Sequence, residues 1–81
     1  MSDIIEAQSS IDRVTEYRDL PSIKAGWRCT VAGQEGVIKS GNRACNFNVD
    51  FGDGTLSNCH PYWKFKVWND QGELIWDSKE Y

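Results

Sequence analysis

The stretch that decides the fold is Cys45-Asn46-Phe47-Asn48-Val49-Asp50-Phe51-Gly52-Asp53-Gly54. Cys45, Phe47, Val49 and Phe51 fall on one side of an extended chain, and Asn46, Asn48 and Asp50 fall on the other. That two-residue period is the mark of a strand with one buried face. Gly52-Asp53-Gly54 supplies residues that tolerate the positive φ of a tight hairpin turn, so Thr55-Leu56-Ser57-Asn58-Cys59 is read as the returning strand.

The same period extends on both sides. Upstream, residues 26–32 place Trp27, Cys29 and Val31 on one face. Gly33-Gln34-Glu35-Gly36 reads as a turn, Val37-Ile38-Lys39-Ser40 as a second strand and Gly41-Asn42-Arg43 as a loop. Downstream, His60-Pro61-Tyr62 breaks the chain. Trp63-Lys64-Phe65-Lys66-Val67-Trp68 then places Trp63, Phe65 and Val67 inward. Asn69-Asp70-Gln71-Gly72 turns, and residues 73–77 return with Leu74 and Trp76 on one face and Ile75 on the other. Before the strands, Ile11, Val14 and Tyr17 fit one helical face. Ser9 or Ser10 is a candidate cap and Pro21 ends the stretch. The expected organisation is a flexible segment over 1–8, a short helix over 9–20, a barrel over 23–77 and a tail over 78–81. The fold class is mainly β: a small SH3-like barrel of five to six antiparallel strands, since closure hides strand edges.

Three stretches carry a resemblance: Lys24-Ala25-Gly26-Trp27-Arg28-Cys29-Thr30-Val31, Gly33-Gln34-Glu35-Gly36-Val37-Ile38, and Phe47-Asn48-Val49-Asp50-Phe51-Gly52-Asp53-Gly54-Thr55. The first is similar to the opening strand, the second to the turn and second strand of a KOW-like unit, and the third to the hairpin of Tudor-like domains. Together, over about half of the chain, they resemble SH3-like barrels of the Tudor and KOW type. The resemblance implies a module that binds peptides, modified side chains, nucleic acid or other proteins. Tudor readers use an aromatic cage, for which Trp27, Tyr62, Trp63 and Trp68 are the available rings; strand alternation turns Trp27 and Trp63 inward.

Composition bounds the rest. The chain has 81 residues and a net charge of −3, with four Trp, three Tyr and three Phe to fill a thin core. A domain this small buries only about 60% of its unfolded surface. Residues 1–23 and 49–81 each carry −3, and residues 24–48 carry +3. No run reaches the roughly 18 apolar residues of a membrane span. The acidic start lacks the apolar core of a signal peptide, so the expected location is cytoplasmic. Three cysteines without a Cys-x-x-Cys pair fit reduced thiols in that compartment.

Chemistry-bearing groups are few. Cys29, Cys45, Cys59 and His60 are zinc-ligand types, but they lack the paired spacing of a zinc site, and Cys59 and His60 point to opposite faces of a strand. The same opposition separates Cys59 from its only possible base. Asp50 and Asp53 read as carboxylates solvating a hairpin. No metal, cofactor or catalytic role is therefore expected. The last hairpin is apolar on both faces, and one must be covered by the helix or by a partner. The expected protein-binding residues are Trp68, Trp76, Tyr62, Ile75 and Tyr17. A chain of this type suits a small accessory or inhibitory protein of a virus or mobile element that binds a host protein. One alternative is a nucleic-acid-binding barrel using Arg28, Lys39, Arg43, Lys64 and Lys66, with Trp68 stacking on a base. The other is a homodimer closing its Trp68–Trp76 surface edge to edge.

Overall fold

The computed structural model describes residues 2–78, with side chains from Glu6 onward. The helix α1 (Ser2–Arg18) precedes six strands: β1 (Arg28–Val31), β2 (Gln34–Gly41), β3 (Phe47–Asp50), β4 (Leu56–Cys59), β5 (Phe65–Trp68) and β6 (Leu74–Asp77). They form one antiparallel sheet in the order β4-β3-β2-β1-β5-β6. The fold is thus mainly β with one N-terminal helix, as the alternation indicates. The barrel is not closed: β4 and β6 stand at opposite ends of the strand order and do not pair with each other.

Rolling of the sheet replaces closure. Strand β2 pairs with β1 through residues 34–37 and with β3 through residues 37–41, with a register shift between Ile38 and Ser40. A bulge of this kind raises local twist and bends the strand. The roll brings non-neighbouring strands together inside. Phe47 on β3 meets Phe65 on β5 with ring centroids 5.6 Å apart. The core is Ile11, Val14, Ile23, Cys29, Val31, Ile38, Phe47, Val49, Cys59, Phe65 and Val67.

Two glycines make the tight approaches possible. A Cβ on Gly36 would lie 2.6 Å from Val49 Cγ1 and 2.9 Å from Phe51 Cδ1, so the side chains of Val49 on β3 and of Phe51 just beyond it pass directly over β2 there. A Cβ on Gly41 would lie 2.3 Å from the Ser10 carbonyl oxygen and 2.7 Å from Val14 Cγ2, which is where α1 rests on the sheet. The Gly41 N–H donates to Ser10 Oγ at 2.9 Å at the same contact.

Several local expectations are corrected. The helix begins at Ser2, not near Ser9, so the segment expected to be flexible is helical from Ser2 to Gln8; Met1 lies outside the described residues. The first turn is Ala32-Gly33, not residues 33–36: both have positive φ (53° and 84°), and Val31 pairs with Gln34. Positive φ at both central residues matches the right-handed strand twist of a two-residue hairpin. Cys45 lies outside β3, with a φ of 58° that interrupts extension. Trp63 is 52% exposed, not inward, because the φ of 49° at Lys64 breaks the alternation before β5 begins. Ser78, expected in the tail, belongs to the sheet's edge: its amide donates to the Phe65 carbonyl at 2.9 Å, and its Oγ accepts the Phe65 N–H at 2.8 Å. Residues 79–81 lie outside the described part.

Adding a methyl at Gly41 forces helix and strand apart. Gly41→Ala is expected to cost about 2 kcal/mol in urea unfolding, the scale of overpacking a fitted contact. Gly72→Ala is the control: nothing lies within 4 Å of its Cβ position and only the φ of 81° is strained, so it costs about 1 kcal/mol. Equal losses would mean that the helix does not hold this contact in solution.

Candidate interaction surface

The outer face of the sheet is read from its ladder. Arg28 pairs with Val37 on one side and Trp68 on the other, and Trp68 pairs with Leu74. Directly paired residues point the same way, so Val37, Arg28, Trp68 and Leu74 form one row across β2, β1, β5 and β6. Val37 continues the row to Asp50, which pairs with Leu56. Beside it runs a polar row in which Thr30 pairs with Glu35 and Lys66, and Lys66 with Asp77. Arg28, Thr30, Glu35 and Trp68, with Cys29 beneath, line a shallow depression of about 160 Å³. Trp68 is half-buried, and Leu74 is 50% exposed.

The five residues expected to bind a partner separate into different environments. Trp76 pairs with Val67 and packs against the core. Its Nε1–H donates to the Pro61 carbonyl at 2.8 Å, and its ring meets Tyr62 edge-on at 5.5 Å. The Tyr62 hydroxyl donates to the Arg18 carbonyl at the end of α1. Tyr62 and Trp76 thus join the 60–64 turn to the helix and to β6. Tyr17 is 71% exposed, with the Arg18 guanidinium 5.4 Å from its ring centre. Ile75 is half-buried at the irregularity in β6, and Trp68 alone of the five stands in the outer row.

The register shift between Val67 and Trp68 explains this. It sends Trp76 to the core side and Leu74 to the outer side, where strict alternation puts them on one face. Leu74 was missed as the neighbour of Trp68 for that reason. A bulge leaves no compositional mark in Glu73-Leu74-Ile75-Trp76.

Arg18 also fixes the 42–46 loop. Its Nε–H donates to the Cys45 carbonyl at 2.9 Å, and its Nη2 donates to the Ala44 carbonyl at 3.2 Å and Asn46 Oδ1 at 3.0 Å. The helix ends just beyond. Leu20 N–H returns to the Thr15 carbonyl at 2.8 Å and Asp19 N–H to the Glu16 carbonyl at 3.4 Å, with Asp19 at a φ of 57°. This is a Schellman ending with Asp where Gly is usual.

Of the five cations in the nucleic-acid alternative, the outer face brings together Arg28 and Lys66, among Glu35, Asp50 and Asp77. Lys39 borders Glu6 and Ser10 on the helix side. Arg43 is in the 42–46 loop, and Lys64 sits 5.5 Å from the ring centre of Trp63. For the aromatic cage, the rings divide: Tyr62 packs on Trp76 and His60, while Trp27 packs against the core and Trp63 is exposed.

Among the described residues, no three His, Cys, Asp or Glu side chains gather where a metal ion could sit. No helix there is long and apolar enough to cross a membrane. Burial pushes the Cys29 thiol up to about 12, with nearby Cys59 adding to the effect. Burial also raises Cys59. Asp53 at the β3–β4 hairpin is held below the ordinary carboxylate value by the Thr55 amide and hydroxyl. Comparison with family models, curated proteins and solved structures finds no match to this chain.

Thiol chemistry checks the burial. Cys45 is half-buried while Cys29 and Cys59 are buried. At pH 8 a disulfide reagent should modify Cys45 first, and the other two at the rate of unfolding, since the thiolate is the reacting form. Rapid modification of Cys29 in native protein would contradict the core placement.

Proposed function

We propose that this chain is a non-catalytic protein-binding module whose contact surface is the outer row around Trp68. The observation that carries the reading is the setting of Trp68: held by cross-strand pairing between Arg28 and Leu74, beside a depression, and apart from the residues packed on the core. Trp and Arg are the side chains most enriched among residues that dominate binding energy. Trp68 is already half-buried on a paired strand before contact, so less freedom is left to lose on association than at a loop position. Arg28 in its own row and Lys66, Glu35 and Asp77 in the row beside it flank Trp68 with both signs of charge, which suits a polar border to an apolar anchor. The interleaved carboxylates disfavour a phosphate backbone, whose recognition rests on clustered positive charge.

Trp68→Ala should leave the sheet intact by circular dichroism, costing about 1 kcal/mol, the scale of a cross-strand pair. It should also abolish capture of the proteins that the unmodified chain retains from a lysate of its own organism, while Tyr17→Ala retains them. Undiminished capture by the Trp68 variant would remove the proposed surface; binding to mixed oligonucleotides that weakens with salt would favour the basic-strip alternative.

A further inference from the structure

His60 is the single histidine of the chain and directly follows β4. Its Nδ1 accepts the backbone N–H of Tyr62, two residues on, at 3.1 Å. The same side-chain bond recurs elsewhere. Asn42 accepts the Ala44 N–H at 3.0 Å, Asp50 the Gly52 N–H at 2.8 Å, Asp53 the Thr55 N–H at 3.1 Å and Asn69 the Gln71 N–H at 3.0 Å. Asn and Asp are the usual residues for such turns, because their short side chains place an oxygen against the amide two positions on. His60 fills that place with a ring nitrogen. The difference is chemical. An amide oxygen does not titrate, and a carboxylate is protonated only near its ordinary value of about 3.9, whereas imidazole titrates near 6.5. Once protonated, Nδ1 carries a hydrogen and can no longer accept.

This turn is also the one that ties three parts of the fold together. Tyr62 reaches the Arg18 carbonyl on α1, and the Pro61 carbonyl receives the Trp76 indole N–H from β6. The His60 ring lies against Tyr62 with centroids 5.8 Å apart. We infer that His60 is a proton-operated latch: protonation removes the acceptor for the Tyr62 amide and loosens the grip of the 60–64 turn on α1 and β6.

The groups around it act in one direction. From α1, Arg18 places positive charge near the ring. Its own segment contributes the Tyr62 ring, and Trp76 of β6, which packs on Tyr62, is uncharged. Partial burial and Arg18 hold the imidazole below its ordinary value. A depressed value in the folded chain means that the latch stays closed through the ordinary imidazole value and opens only below it. Its contribution to stability is lost as pH falls through the His60 midpoint.

The test follows backbone and indole NMR signals between pH 8 and 5. In the unmodified protein, the Tyr62 amide and the Trp76 Nε1–H should shift with the midpoint of the His60 ring. Tyr62 amide exchange, corrected for its intrinsic pH dependence, should speed up about fivefold to tenfold, the worth of one ordinary hydrogen bond. His60→Asn keeps an acceptor that does not titrate, and should hold both signals at their high-pH positions throughout. His60→Ala should hold them at their low-pH positions. The inference is overturned if Trp76 and Tyr62 ignore the His60 titration, or if His60→Asn still titrates with the same midpoint. None of these readouts involves Trp68, so the result is independent of the proposed binding surface.

Discussion

Everything in this fold hangs on one strand changing partners. The eight residues of β2 give their first half to β1 and their second half to β3, with Val37 common to both. Backbone hydrogen bonds at the bend must still be met, because an unpaired buried amide costs as much as a lost bond. The register shift after Ile38 allows the bend, and Gly36 leaves room for Val49 and Phe51 to cross it. With the strand bent, four-residue strands suffice to surround the Phe47–Phe65 contact. A flat sheet of this length has no interior at all.

The helix completes that interior. Ile11 and Val14 enter the core beside Gly41, and Gln8 ties the approach to β1: its Nε2 donates to the Ile23 carbonyl at 2.8 Å and its Oε1 accepts the Ala25 N–H at 2.9 Å. At the other end, Arg18 and Tyr62 join the helix to two loops. Helices in proteins owe most of their stability to tertiary packing, and these contacts define where it ends as much as where it lies. Trp76 is drawn into the same junction, which leaves Trp68 as the aromatic ring of the last hairpin on the outer face.

Much of this was legible in the residues. The alternation over 47–50 and 65–68 names the buried side chains correctly, because burial on one face is what alternation encodes. The Gly52-Asp53-Gly54 turn falls where its composition puts it. The misreadings share a physical cause. Ala32, Cys45 and Lys64 all adopt positive φ without being glycine, and no local preference announces that. Each one ends or shifts a strand by a residue or two, and such a slip reverses faces. Strict alternation therefore turns Trp63 inside, and the separate register shift between Val67 and Trp68 is what parts Leu74 from Trp76. The start of the helix was legible but read short: Ile4 and Ala7 continue the spacing of Ile11 and Val14 at intervals of three and four, while the Gln8 hydrogen bonds that anchor this part are something periodicity does not register.

The open ends of the strand order have a bearing on how copies of the chain can meet. Among the described residues, β4 and β6 each have a neighbour on one side only. Joining β4 of one molecule to β6 of the next is a head-to-tail contact, which makes a ring where the rotation closes and an open filament where it does not; joining β6 to β6 closes on itself as a symmetric pair. The irregular spacing inside β6 leaves only a short, twisted template for either union. A defect in the ladder that costs a little pairing within one molecule thereby also makes that edge a poorer template for strands of other molecules.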